Sequence, residues 1–207
     1  MHIIVPILAL LIAVAVLLLG NGMLGTLVGL RAGLHGFPAQ LTGVVMSAYF
    51  GGFVLGSLGG PALIARTGHI RAFAILAALA AAAAPLYAYT THPLAWIGLR
   101  LVSGTAVMGL YMVVESWLNA TATAGARGRV FAVYMTVNLL AMAAAQGLVA
   151  LAPVQVETPF VLAGVLLTLS LIPVALTRLP EPQRVPSSAL RRASFAGLPR
   201  VGLLTAL

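Results

Sequence analysis

Leu94-Ala95-Trp96-Ile97-Gly98-Leu99-Arg100-Leu101-Val102-Ser103-Gly104-Thr105-Ala106-Val107-Met108-Gly109-Leu110-Tyr111-Met112-Val113-Val114-Glu115-Ser116-Trp117-Leu118-Asn119 holds one arginine and one carboxylate in an otherwise apolar or small-residue run. At 1.5 Å of rise per residue it is long enough to cross a hydrocarbon core, which takes about 20 residues. Stretches 3–29, 39–64, 72–90, 130–152 and 159–177 read the same way, making six spans. The composition agrees. Of 207 residues, 61% are hydrophobic and 7% charged, and the mean hydropathy is +1.10. A water-soluble surface draws on roughly 25% charged residues. The fold class predicted is therefore an all-α integral membrane protein, a six-transmembrane-helix bundle in membrane lipid.

All 11 basic residues are arginines and all 3 acids are glutamates, for a formal charge of +8. The arginines stand singly or in pairs between apolar runs instead of on one basic face, which argues against a nucleic-acid partner. Arg66 and Arg71 follow the second span, Arg127 and Arg129 the fourth, and Arg178, Arg184, Arg191, Arg192 and Arg200 the sixth; Arg31 and Arg100 are the exceptions. The positive-inside rule then puts these connections and the N-terminus in the cytoplasm. Residues 1–177 read as the bundle, 178–200 as a basic, proline-rich cytoplasmic linker, and 201–207 as the start of a seventh span cut short.

Polar groups inside hydrocarbon are costly and generally face a cavity or another helix. They are unevenly shared. The first span has Asn21; the second Gln40, Ser47 and Tyr49; the fourth Arg100, Ser103, Tyr111, Glu115, Ser116 and Asn119; the fifth Tyr134, Asn138 and Gln146. The third and sixth are bland, as suits helices facing lipid or packing only on other helices. Four cavity-facing helices and two peripheral ones, in two runs of three, fit one half of a transporter built from three-helix repeats. The solute-facing candidates are accordingly Asn21, Gln40, Tyr49, Arg100, Tyr111, Tyr134, Asn138 and Gln146.

Several of these carry two readings. Arg100 either snorkels to the outer interface or projects inward toward an anionic group. Tyr134, Asn138, Met142 and Gln146 recur every four residues on one helix face, as a solute wall or as a polar seam between helices. Glu115, the one acid inside a span, is either part of a structural charge cluster with Arg66, Arg127 and Arg129 or a gate latch and proton site. Gly52, Gly56 and Gly60, like Gly25, Gly29 and Gly33, form small-residue stripes suited to static packing or to a sliding contact. Arg31 and His35 read as solvated loop residues, and Trp96 and Trp117 as interface anchors.

Other chemistry lacks candidates. His2, His35, His69 and His92 fall at the terminus or in connections, and neither Cys nor Asp occurs, so no nucleophile and base pair at membrane depth. No ligand spacing suggests a metal, and no lysine is present for a phosphate-binding loop. No cofactor is expected, and the chain is not predicted to be an enzyme.

Pro61-Ala62-Leu63-Ile64-Ala65-Arg66-Thr67-Gly68-His69-Ile70-Arg71 resembles the signature loop between helices two and three of the major facilitator superfamily, through Leu63, Arg66 and Gly68. Pro61, Ala65, His69 and Ile70 depart from that pattern, Ala65 standing where it has Asp. Arg100 to Gly104 is similar to the family's Arg-x-x-x-Gly motif. Glu115-Ser116-Trp117-Leu118-Asn119, followed by Arg127-Gly128-Arg129, resembles its bacterial YcaD-like branch. The resemblance implies the N-terminal half of a twelve-helix secondary transporter in the bacterial inner membrane, with Arg66, Gly68, Arg71, Glu115, Asn119, Arg127 and Arg129 as gate or coupling residues. It further implies a small-molecule substrate, protons as a coupling partner, and a missing C-terminal six-helix half. A half-size homodimer or a structural subunit is the alternative.

Overall fold

The computed structural model describes residues 4–123, 125–177 and 182. Among them the regular structure is entirely helical: α1 (Ile4–Leu34), α2 (Ala39–Thr67), α3 (His69–Tyr89), α4 (Pro93–Thr121), α5 (Arg127–Ala150), α6 (Thr158–Leu169) and α7 (Leu171–Ala175). The last two make one span, Thr158–Ala175, so six helical segments are long and apolar enough to cross a membrane. The break at Ser170 has a local cause. Pro173 offers no N–H to the carbonyl of Leu169 four residues back, and the Ser170 hydroxyl turns back onto the Leu167 carbonyl at 2.6 Å. The linker and seventh span predicted for 178–200 and 201–207 lie outside the described residues.

Two helix boundaries differ from expectation. Arg31 lies inside α1, not in a loop, because the helix continues to Leu34. The α2–α3 connection shrinks to Gly68, whose φ of +84° only glycine adopts easily; its N–H bonds the Ile64 carbonyl at 2.8 Å, closing α2.

The two runs of three helices repeat each other's packing. α2 lies on α4 as α5 lies on α1; α3 lies on α4 as α6 lies on α1; α3 and α6 meet each other. The α2–α4 contact is the closest, and its glycines explain why. A Cβ on Gly52 would strike the Leu101 carbonyl and the Thr105 nitrogen (2.8 Å), and one on Gly56 the Thr105 carbonyl (2.6 Å). At the α3–α6 crossing, Pro85 leaves the Ala81 carbonyl without an intrahelical donor. A Cβ on Gly164 would sit 3.0 Å from that oxygen.

This seam encloses a groove of about 500 Å³ lined by Ala78, Ala81, Ala82, Pro85, Val161 and Gly164 among others. It has no charged or strongly polar group to orient a solute, so chemistry directs attention to the opposite side. There α2 and α5 bury only 17% and 22% of their apolar windows, against 61% for α1. Phe50, Leu58, Leu139 and Leu140 are left uncovered.

Candidate functional site

The polar side chains within the spans gather among α1, α2, α4 and α5, while α3 supplies one more. At 100° per residue, Arg100, Tyr111 and Glu115 fall within an arc of about 60° on α4, so a single helix face carries them over about 22 Å.

Toward the Trp96 end, Arg100 is only 3% exposed. Its Nη2 lies 3.0 Å from Met46 Sδ, and its guanidinium carbon 5.2 Å from the centre of the Tyr49 ring. Both partners come from α2. Asn21 of α1 donates through Nδ2 to the Tyr49 hydroxyl at 3.2 Å, so α1, α2 and α4 meet at one cluster. Arg100 is thus enclosed against α2 and does not snorkel outward. Tyr87 of α3 also belongs here: it is fully buried, stacks edge-on against Trp96 at 5.7 Å, and directs its hydroxyl toward Ser103 and Arg100. Helix three is therefore less bland than its alanine run suggested. One tyrosine followed at some distance by an arginine carries no signal in sequence, because the helix crossing alone brings them together.

Toward the Trp117 end, the Tyr134 hydroxyl donates to Glu115 Oε1 at 3.1 Å. Among the described residues Glu115 has this tyrosine as its hydrogen-bonding partner, and Arg66, Arg127 and Arg129 are exposed, as are Arg71 and Asn119. The three-arginine cluster is not formed. The connections carry those guanidiniums into the open, and Tyr134 fills the place beside the carboxylate.

Three of the four repeated residues on α5 meet neighbouring helices. Tyr134 bonds α4. Met142 packs at Gly22 of α1, where a Cβ would sit 3.0 Å from its sulfur. Gln146 Oε1 accepts from Thr26 Oγ1 of α1 at 2.9 Å, and Asn138 turns back onto the Tyr134 carbonyl at 2.8 Å. Tyr111 is half-buried, and Gln40 is exposed at the start of α2. Thr26 went unnoticed in the sequence because a threonine bonding its own helix or a neighbour looks the same there.

Three further expectations are corrected. Arg31 is 8% exposed; it donates from Nη1 to the Val154 carbonyl at 2.8 Å and lies over Phe160 at 6.0 Å. The extra helical turn swings it under the α5–α6 connection, out of solvent. Trp96 and Trp117 are both fully buried and anchor no interface. Trp96 gives its N–H to the Thr90 carbonyl (2.8 Å) and packs against Phe37 at 5.2 Å. His69 is not a loop residue. It opens α3, is 5% exposed, approaches Ser116 Oγ at 2.9 Å and stacks on Trp117 at 5.8 Å. The Ser116 hydroxyl also lies 3.0 Å from the Val113 carbonyl, and its hydrogen bond with His69 clasps two helices.

The two glycine stripes separate as well. Gly52, Gly56 and Gly60 are packed against α4, whereas Gly25, Gly29 and Gly33 have nothing within 4 Å of a would-be Cβ.

A chain with six helices long and apolar enough to cross a membrane is a multi-pass membrane protein. The sequence pattern of the Major Facilitator Superfamily matches residues 10–206, and the chain belongs to that family. It is 30% identical over 176 residues to the uncharacterized MFS-type transporter Ent638_1421 of Enterobacter sp. (strain 638), covering 84% of this chain and 46% of the relative. It is 32% identical over 132 residues to the uncharacterized MFS-type transporter YcaD of Salmonella newport (strain SL254), covering 64% of this chain and 35% of the relative. The chain thus spans about half or less of the length of the curated relatives it matches. No solved structure matches it significantly. Membership of a transporter family points to transport, which is not an enzymatic reaction.

Proposed function

We propose that this chain is one six-helix half of a secondary carrier that moves a small solute across a bacterial inner membrane by alternating access, with its N-terminus in the cytoplasm. The observation that carries the reading is the placement of Asn21, Tyr49, Arg100, Tyr111 and Glu115 among α1, α2 and α4, next to the uncovered faces of α2 and α5. Polar groups are costly to keep in hydrocarbon unless they serve a water-accessible path. Six further helices, in a longer polypeptide or a second copy, complete the path, since alternating access needs two bundles rocking about one site.

In this reading Asn21, Tyr49, Arg100 and Tyr111 face the solute, with Gln40 at the mouth, while Tyr134, Asn138 and Gln146 support the wall through the α5 seam. Glu115 exchanges a proton, its carboxylate steadied by Tyr134 rather than pinned by an arginine. Arg66, Gly68, Arg71, Asn119, Arg127 and Arg129 border the cytoplasmic opening.

These 207 residues contain no cysteine, so within them each introduced cysteine stands alone. In the complete protein, cysteines at Asn21 and Gln146 should react with an aqueous maleimide, while one at Ala82 on the α3–α6 face should not. Silence at both Asn21 and Gln146, from either side of the membrane, refutes a carrier path. Glu115→Gln should abolish the dependence of transport on a proton gradient while leaving solute affinity within a few-fold. Transport that stays unchanged across a pH series removes the coupling role.

A further inference from the structure

We infer that Arg100, Ser103 and Tyr87 form a binding site for a compact oxyanion, the carboxylate group of the transported solute. The inference deepens the carrier reading and rests on it for the solute, though not for the anion itself. Arginine stays ionised at any accessible pH, and here the guanidinium is 97% removed from solvent by its 3% exposure. Burying an ion without a counter-charge is strongly unfavourable even after relaxation. What surrounds Arg100 does little to offset this: a thioether is a weak acceptor, and an aromatic face supplies only part of the missing hydration. Of the acids among the described residues, Glu115 lies about 22 Å along the helix and Glu157 is exposed in the α5–α6 connection.

Arg100 Nε is buried and, among the described residues, lacks a hydrogen-bond partner; beside it the buried hydroxyls of Tyr87 and Ser103 face each other. The guanidinium bears a full positive charge with no acid beside it among those residues, and the hydroxyl pair can turn one O–H outward, so the group this cluster is suited to receive is an acceptor carrying negative charge. A guanidinium offers a planar fork that matches the two oxygens of a carboxylate. The frame holding these donors is stiff: Tyr87 is seated against Trp96, and Trp96 is fixed through its N–H to Thr90. The Tyr49 ring covers the guanidinium, with its hydroxyl held by Asn21 of the neighbouring helix.

The test uses the 207-residue chain in lipid nanodiscs. The chain has 2 tryptophans, so Trp117→Phe leaves Trp96, one helical turn from Arg100, as the lone fluorophore. Sodium acetate is titrated against sodium chloride at constant total concentration. A saturable change in Trp96 emission is expected, lost in Arg100→Gln, with the apparent Kd raised roughly tenfold in Ser103→Ala and in Tyr87→Phe. The latter two variants keep the charge, so they remain informative should Arg100→Gln fail to fold. The inference is overturned if acetate gives no saturable response, if chloride alone gives an equal one, or if Ser103→Ala and Tyr87→Phe both bind acetate as the parent does. Acetate binding in a protein that proves not to be a carrier would leave the anion site standing and sink the transport reading. A carrier without any acetate response would do the reverse.

Discussion

The hydroxyl of Tyr134 on α5 donates to the carboxylate of Glu115 on α4 at 3.1 Å, across two helices that otherwise scarcely touch. The carboxylate within the bundle is thereby tied to the next helix of the same three-helix run. Hydrogen bonds to charged groups contribute about 1.5–3 kcal/mol. Tyr134→Phe should therefore lower unfolding stability by about that amount, and Glu115→Gln should cost much less in the Tyr134→Phe background than alone. A double-mutant cycle in reconstituted protein measures the coupling; additivity within about 0.5 kcal/mol would show that the pair does not interact.

Gly52 and Gly29 offer a paired comparison. At Gly52 a Cβ would meet backbone atoms of Leu101 and Thr105, which cannot swing away, whereas at Gly29 it would meet nothing within 4 Å. Gly52→Ala should destabilise by about 1–3 kcal/mol through overpacking. Gly29→Ala should be neutral or up to about 1 kcal/mol stabilising, because alanine is the better helix former. Chemical unfolding of the isolated chain checks both, and equal effects would contradict the observed α2–α4 contact.

Arg31 ties the end of α1 to the α5–α6 connection through the Val154 carbonyl and the Phe160 ring. Arg31→Met should keep the apolar stem while releasing that connection. Amide hydrogen exchange at residues 151–157 is expected to rise several-fold, with α2 and α4 unaffected. No change in the connection would leave Arg31 without the fastening role.

His69 Nε2 hydrogen-bonds with Ser116 Oγ and its ring meets Trp117 edge-on, joining the start of α3 to α4. Ser116→Ala should cost about 0.5–1.5 kcal/mol, and His69→Leu more, since it also removes the ring contact. Thermal unfolding ranks the two; the reverse order would mean that the hydroxyl matters beyond this clasp.

The six spans were legible from composition and length alone, because a chain this apolar must satisfy its backbone bonds internally in lipid. The uneven spread of polar side chains was visible as well, but it passed over Tyr87 of α3, which joins the Arg100 cluster. The Leu63, Arg66 and Gly68 matches and the Glu115–Asn119 wording pointed to the right family. Gly68 among them has a visible backbone reason in its positive φ.

Pairing was another matter. Two stripes of identical glycine spacing, Gly25-Gly29-Gly33 and Gly52-Gly56-Gly60, end up open and close-packed respectively. A helix sequence states which residues share a face; it does not state what the face meets. That Tyr87 turns to Arg100, that Tyr134 rather than an arginine reaches Glu115, and that Trp96, Trp117 and Arg31 are enclosed all depend on how helices distant in the chain cross. Hydrophobicity drives a span into the bilayer without specifying a neighbour, so neighbours are chosen by short-range packing and hydrogen bonding, and these exist only once the bundle has assembled.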